Sequence, residues 1–236
     1  MDGRGGPERA PKRRRIMDGG MSVSGIDAVG FDAYGTLFDV TGARWAAPEV
    51  VATARQKQLQ YSWLVTLMGD YHDFRELTRR AIEYALAEHG VEGLEVDQAL
   101  AAQTRLPPYP EVPEALERLA RGRRLAVVSN GHPESLEALL AGAGLGTWIP
   151  LVVSAHEVRA FKPAPAVYRL ALDRLGVGRE RLLFVSSNGW DVAGAARFGL
   201  RTAWINRPGL PPEGVGPPPE LVVPDLLALA AELEAR

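Results

Sequence analysis

The stretch GIDAVGFDAYGTLFD, residues 25–39, decides the fold. Its first half is mostly apolar, which predicts a buried strand that ends at Asp32. Gly35 and Thr36 follow within the next turn, where the glycine lets the backbone turn closely and the hydroxyl can hold a carboxylate oxygen. A carboxylate at the tip of a buried strand is a typical place for a nucleophile, although Asp32 could instead cap the next element.

Short strand-like runs alternate with helical patterns along most of the remaining chain. Further strands are predicted at 123–131, 150–154, 181–188, 201–206 and 220–225. Helices are predicted between and after them, at about 112–122, 134–142, 164–175, 190–199 and 225–235. This order predicts an α/β fold with a Rossmann-like parallel-sheet core, in which ligand chemistry gathers at the carboxyl ends of the strands.

Residues 44–105 interrupt this alternation with three helical patterns and no strand signal. We therefore predict an all-helical cap domain, residues 42–106, inserted into an α/β core domain made of residues 22–41 and 107–236. Because the insert begins directly after the tip of the first strand, we expect it to cover that tip as a lid. Residues 1–21 are rich in Gly, Pro and Arg, and we expect a disordered tail there.

The composition excludes several classes of protein. With 27 Lys+Arg against 29 Asp+Glu, the formal charge is −2, so nothing in the bulk charge favours nucleic acid or a membrane surface as a partner. The absence of cysteine excludes disulfides, thiolate metal sites and a cysteine nucleophile. No apolar run is long enough for a membrane span or resembles a signal peptide, so we expect a cytoplasmic protein.

Polar side chains end three more of the predicted strands, at residues 129–130, at Ser154 and at residues 186–188. Ser129 and Asn130 close the second strand, where a hydroxyl, an amide and backbone N–H groups could bind an anion, although Ser-Asn-Gly is also a common turn. The stretch SSNGWD, residues 186–191, ends another strand and opens a helix. Lys162 lies just before a predicted helix and could reach a carboxylate at the sheet edge, although a lysine before a proline is more often exposed.

Together these signals occur in the order Asp, Ser, Lys, Asp along one parallel sheet. In this order the chain resembles the haloacid dehalogenase superfamily over roughly residues 25–235. The stretches FDAYGTLFD (31–39), RQKQLQYSWL (55–64) and SSNGWD resemble its L-2-haloacid dehalogenase (type II) branch. The resemblance implies hydrolysis of short L-2-haloacids to D-2-hydroxy acids through an ester on Asp32, with inversion at C2 and with no metal or organic cofactor.

The resemblance also implies a role for each candidate residue. Lys162 would orient Asp32, Thr36 and Asn188 would hold Asp32 or the hydrolytic water, and Asp191 would position or deprotonate that water. Ser129 would bind the substrate carboxylate, and Arg55 with Asn130 would bind the departing halide. Tyr168 and Ser186 match further family positions close to Lys162. Apolar walls are expected from Tyr34, Leu59, Phe74 and Trp190.

Three alternatives remain open at this stage. A magnesium-dependent phosphatase of the same superfamily would carry a second aspartate two residues after the nucleophile, where this chain has Tyr34, and tyrosine transfers a proton poorly near neutral pH. A phosphonate hydrolase would need a cap lysine for a Schiff base, for which only Lys57 is available in the predicted cap. A catalytically idle binding member would not need the set formed by Asp32, Lys162 and Asp191.

The expected partners are a small 2-haloalkanoic acid, the halide product and, by resemblance, a second copy of the chain in a homodimer. Neither nucleic acid nor a membrane is expected. The histidines His72, His89, His132 and His156 show no metal-ligand spacing, and we expect all four to be exposed or structural.

Overall fold

The computed structural model describes residues 24–42 and 44–235. The tail predicted at residues 1–21 lies outside the described residues. Within them, no helix combines the length and the apolar character that crossing a bilayer requires.

A six-stranded sheet forms the centre of the molecule, and all of its strand pairs are parallel. The strands are β1 (Ala28–Phe31), β2 (Arg124–Ser129), β3 (Leu151–Ser154), β4 (Leu182–Ser186), β5 (Arg201–Ile205) and β6 (Leu221–Val223). Their spatial order is β3-β2-β1-β4-β5-β6. The order reverses between β1 and β4, which is the switch point where α/β sheets form their ligand crevice. The predicted α/β fold is therefore confirmed.

Helices surround this sheet and also fill the insert. They are α1 (Pro48–Met68), α2 (Phe74–Glu88), α3 (Val96–Gln103), α4 (Val112–Leu119), α5 (Pro133–Gly142), α6 (Pro165–Leu175), α7 (Gly189–Phe198) and α8 (Leu226–Glu234). Short 3-10 helices cover Val40–Gly42, Ala155–Val158 and Arg179–Arg181. The helical patterns read from the sequence correspond to α1–α8 in the same order.

Two apolar layers explain why the strands are buried on both faces. Along β1, Val29 and Phe31 pack into one layer and Ala28 into the other, because successive side chains of a strand point to opposite faces. On β4, Val185 joins the first layer and Phe184 the second. Each strand of a sheet that is covered on both faces needs apolar side chains on both sides, which explains why β1 and β4 are almost continuously apolar.

The insert consists of α1–α3, which share a small apolar cluster of their own around Ile82. Its helices also contact the sheet layer, since Phe74 at the start of α2 lies 5.5 Å, between ring centroids, from Phe161. These contacts bring the beginning of α2 to the carboxyl end of the sheet. We propose that α1–α3 form the cap, with the boundaries at 42 and 106 remaining predictions.

Candidate active site

Asp32 directly follows β1, beside the switch point of the sheet. Its backbone N–H donates to the carbonyl of Val185 on β4 at 2.9 Å, which carries the residue one step past the strand. The residue is only 5% exposed. A carboxylate at this depth requires hydrogen-bond donors or a cation to offset its lost hydration.

Three donors supply that compensation. Lys162 Nζ donates to Asp32 Oδ1 at 2.8 Å, while Asn188 Nδ2 at 2.8 Å and Thr36 Oγ1 at 3.1 Å donate to Oδ2. Asn188 belongs to the turn after β4, and Thr36 belongs to the turn after β1. The carboxylate is thus held from both sides, as a preorganised nucleophile must be.

Lys162 is 1% exposed and bridges two carboxylates. Besides Asp32, its Nζ donates to Asp191 Oδ2 at 2.6 Å and to the Val128 carbonyl at 3.0 Å, so all three ammonium protons have acceptors. Burial lowers the pKa of Lys162, but Asp191 and Asp32 outweigh burial and hold this pKa above its ordinary value. The ammonium therefore stays charged beside Asp32.

Asp191 lies in the first turn of α7 and is completely buried. Its Oδ1 accepts a hydrogen bond from the Tyr168 hydroxyl at 2.7 Å. Burial raises the pKa of Asp191 to about 6, against the lowering effect of Lys162 and with a further raising effect of Asp32. A carboxylate with that pKa is ionised at neutral pH and basic enough to take a proton from water.

The turn after Asp32 is fixed by contacts from distant parts of the chain. Gly35 adopts a φ of 85°, and a Cβ built there would lie 3.2 Å from Ser187 Oγ, so glycine suits both the conformation and the space. The Ser187 N–H donates to Thr36 Oγ1 at 2.8 Å. Arg207 donates to the carbonyls of Gly35 and Thr36, at 3.1 Å and 3.0 Å, and is paired with Glu111 at 2.7 Å.

A small cavity of about 20 Å³ opens beside Asp32. Its walls include all of the predicted halide- and substrate-binding residues together with Gln58: Tyr34, Arg55, Leu59, Phe74, Ser129, Asn130 and Trp190. Arg55 donates to the Tyr34 carbonyl at 3.4 Å, and its charge lies at the cavity where a leaving anion would need it. Burial lowers the pKa of Arg55, with Asp32 acting in the opposite direction, and a guanidinium remains charged under these conditions.

Tyr34 occupies the position two residues after Asp32, where its acidity limits the reactions that the site can catalyse. Burial, with a smaller contribution from Asp32, raises the pKa of this tyrosine to about 12. A hydroxyl of that pKa is too weak an acid to protonate a leaving group efficiently near neutral pH. The arrangement therefore suits a leaving group that departs as an anion.

A lysine ammonium occupies the position between the two carboxylates at the sheet tip. The two carboxylates that converge there are bridged by the Lys162 ammonium. Among the residues that the structure describes, three side chains with suitably placed ligand atoms occur together at Asp73, His132 and His156, outside this group.

A family model described as haloacid dehalogenase-like hydrolase matches residues 26–199, which is most of the chain. The chain belongs to this family. The chain is similar to a solved structure of the L-2-haloacid dehalogenase from Xanthobacter autotrophicus with chloropropionic acid covalently bound, which superimposes with a TM-score of 0.81 at 39% identity. That alignment covers 87% of this chain and 97% of the other.

Curated relatives place the chain in the L-2-haloacid dehalogenase branch of the family. The (S)-2-haloacid dehalogenase of Xanthobacter autotrophicus is 45% identical over 195 residues, covering 77% of this chain and 76% of that protein. The (S)-2-haloacid dehalogenase 4A of Burkholderia cepacia is 43% identical over 203 residues, covering 81% and 87%. The resemblance stated from the sequence motifs is thereby confirmed.

Within this dehalogenase fold, the predicted site residues fall into two groups. Asp32, Lys162 and Asn188 reach the cavity together with its predicted wall residues. The others stand behind them: Thr36 contacts Asp32, Asp191 contacts Lys162, and Tyr168 contacts Asp191. Ser186 is buried and its hydroxyl accepts from the Asn188 N–H at 3.1 Å, which shapes the turn that presents Asn188.

Sequence reasoning missed two contributors to this site. Gln58 lines the cavity and donates to Thr78 Oγ1 at 2.6 Å, and its place inside the stretch RQKQL was the available signal. Arg207 lies at the start of a Pro-rich segment that reads only as a surface loop, so no sequence signal pointed to its contact with the turn after Asp32.

Proposed function

We propose that the protein hydrolyses short L-2-haloacids to D-2-hydroxy acids through a covalent ester on Asp32. The observation that carries this proposal is the buried Asp32 carboxylate, held by Lys162, Thr36 and Asn188, with a tyrosine in place of an acid two residues later. The same reaction class is named for the relatives reported above.

In the first step, an Asp32 oxygen attacks C2 of the substrate from the side opposite the halogen. A lone pair of that oxygen forms the new C–O bond, and the electron pair of the C–X bond leaves with the halide. Attack from behind inverts C2, so an L-substrate becomes a D-ester. No proton transfer to the leaving group is needed, which agrees with the raised pKa of Tyr34.

In the second step, water attacks the carbonyl carbon of the Asp32 side chain rather than C2. Asp191 takes one proton of that water through its hydrogen-bonded neighbours. The bond between the Asp32 carbonyl carbon and the ester oxygen then breaks, and this proton passes to the departing oxygen, which becomes the hydroxyl of the product. The hydroxy acid leaves with an oxygen that came from Asp32, and the water oxygen remains in the enzyme. Lys162 and Asn188 stabilise the negative charge that develops on the carboxyl oxygens.

Substrate binding is assigned to the walls of the cavity. Ser129 and the neighbouring backbone N–H groups would hold the substrate carboxylate, and Arg55 with Asn130 would hold the halide. We further propose that the enzyme works in the cytoplasm and as a homodimer, two expectations that gel filtration and cell fractionation can check.

A single turnover in oxygen-18 water, with the enzyme in excess over L-2-chloropropionate, tests this mechanism. Label should enter the peptide that contains Asp32, whereas label found only in the lactate product would refute the ester. The same reaction should release chloride in the presence of EDTA. Metal-dependent release of phosphate from phosphate esters, without halide release, would instead support the phosphatase alternative.

Two variants complete the test. Asp32→Asn replaces the nucleophile by a poor one, and we expect chloride release to fall by about 10⁴-fold or more. Asp39→Asn makes the same change seven residues later, at a side chain that accepts hydrogen bonds from Thr41 in its own turn, and should retain activity. Parent-like activity of Asp32→Asn would rule out Asp32 as the nucleophile. If the parent and both variants all release no halide, the result would support the catalytically idle binding protein.

A further inference from the structure

Three side chains that the proposed mechanism does not use meet beside the candidate active site. Asp73 is the N-cap residue of α2 in the insert, His132 is the N-cap residue of α5, and His156 lies in the short 3-10 helix after β3. The Asp73 Oδ2 atom is 3.5 Å from His132 Nε2 and 3.5 Å from His156 Nδ1. The two imidazole rings lie 4.8 Å apart, centroid to centroid.

These distances suit a shared metal ion better than direct hydrogen bonds. A nitrogen–oxygen separation of 3.5 Å is beyond the usual 2.7–3.2 Å range of a hydrogen bond. Ligands bound at about 2.0–2.1 Å around a tetrahedral zinc ion are about 3.3–3.4 Å apart. Ligand atoms of all three side chains lie within 4.8 Å of one another, so small side-chain movements would complete the geometry.

The ligand atoms are also oriented and accessible. Asp73 Oδ1 already accepts from the Arg75 N–H at 2.7 Å, which caps α2 and leaves Oδ2 directed at the histidines. His132 Nδ1 is buried and lacks a hydrogen-bond partner in the described part of the chain, and Glu134 Oε2 lies 4.0 Å away. Metal-bound histidines commonly donate their second N–H to such a carboxylate. His156 is 42% exposed, which gives an ion a path from solvent.

We propose that Asp73, His132 and His156 form a binding site for a late divalent transition-metal ion, for which zinc is the probe. Two imidazoles and one carboxylate are a donor set that such ions prefer, with water completing the shell. The ion would join the insert to the sheet domain. Asp73 directly precedes Phe74, and His132 is the second residue after Asn130, so two wall segments of the cavity would be tied together.

Tyr71 competes with the metal in this arrangement. Its hydroxyl lies 2.8 Å from His156 Nδ1, the nitrogen that faces Asp73. A bound ion must displace this hydroxyl from the nitrogen lone pair, so the Tyr71→Phe variant should bind zinc at least as tightly as the parent. This expectation separates a metal site from a histidine pair held by hydrogen bonds. In such a pair neither the parent nor the Tyr71→Phe variant would bind zinc.

Equilibrium dialysis and isothermal titration of the untagged full chain with zinc chloride test the site. We expect one zinc ion per chain, with binding weakened by at least about tenfold in Asp73→Asn, His132→Gln and His156→Gln. Asparagine keeps the capping acceptor of α2, so Asp73→Asn should fold. The matched controls His72→Gln and His89→Gln remove imidazoles that contact Glu76 and Thr53 instead, and should bind zinc like the parent.

A second measurement does not depend on dehalogenation. It can therefore refute the metal site while the proposed function stands, or support the metal site in a protein that releases no halide. Zinc should raise the melting temperature of the parent and of the two control variants, but not that of the three ligand variants. Zinc should also slow chloride release by the parent and leave the His156→Gln rate unchanged. Absence of stoichiometric zinc binding to the parent would overturn the proposal, as would equal losses in the ligand and control variants.

Discussion

Replacement of Lys162 by methionine would test the centre of the site most directly. Methionine has nearly the length of lysine but no charge, so the substitution removes the cation and keeps most of the packing. In the parent, one ammonium pairs with Asp32 at 2.8 Å and with Asp191 at 2.6 Å while being 1% exposed. The variant would leave two buried carboxylates facing each other across an uncharged side chain.

The expected loss of stability follows from this geometry. Removing one partner of a buried ion pair typically costs about 3–5 kcal/mol. Two like charges about 5 Å apart repel by about 3 kcal/mol at an effective dielectric of about 20, so the variant can relieve most of its penalty by binding one proton between the two carboxylates. The free energy of unfolding should therefore fall by about 3–5 kcal/mol at pH 8 and by clearly less at pH 5.

The sign of this pH dependence follows from the number of protons that the folded and the unfolded variant bind. In the variant, one carboxyl of the folded state has a pKa raised above its unfolded value, so the folded state binds more protons in the window between those two values. Stability then falls as the pH rises through that window. The variant should also lose dehalogenase activity, since the cation that holds Asp32 in place is removed.

Urea denaturation at pH 5 and pH 8 measures this effect. Lys57→Met is the matched control, because Lys57 lies on α1 with its Nζ 4.1 Å from the Tyr84 ring centroid and should lose only about 0.5–1 kcal/mol. Equal destabilisation by the two substitutions, or a loss at Lys162 that is the same at both pH values, would refute the idea that this ammonium holds the two carboxylates together.

Three further predictions concern the surroundings of the nucleophile. Burial is the chief cause that raises the pKa of Asp191 to about 6, so kcat should fall as the pH drops through about 6. The Asp191→Asn variant should accumulate the ester, which quenched-flow mass spectrometry detects. If the variant shows the same loss of kcat at acidic pH as the parent, Asp191 is not the base. Arg55→Met should lower kcat by about 10²–10³-fold in halide-release assays, and a parent-like rate would remove Arg55 from the halide site. Arg207→Met should cost about 1–3 kcal/mol in urea denaturation because two turn carbonyls and Glu111 lose their donor, and a neutral effect would show that the loop does not support the turn.

Much of the fold was predictable because its signals are local. Each strand is an apolar run bounded by turn residues, and α1–α3 carry helical patterns without strand character. The meeting of Asp32 and Lys162 was also predictable, since Asp32 ends a buried strand and Lys162 stands at a matching motif position. These features depend on neighbours in the chain or on the order of motifs along it.

The contacts that hold the site together were not predictable in this way. Arg207 reaches the turn after Asp32 from a loop that follows β5, and nothing in its own neighbourhood indicates this contact. The histidines behave similarly: His132 and His156 are 24 positions apart in the sequence without metal-ligand spacing, yet the parallel pairing of β2 and β3 places the residues that follow these strands side by side.

The sequence by itself determined the α/β class, the helical insert after the first strand, and the set of reactive residues at the strand tips. Only the tertiary structure decided which carboxylate shares the Lys162 ammonium, which side chains line the cavity, and how the insert meets the sheet at Asp73. The physical reason is that strand and helix formation follow from the periodicity of neighbouring residues. Burial, charge pairing and cavity shape depend instead on residues that are brought together from distant positions by the order of strands in the sheet.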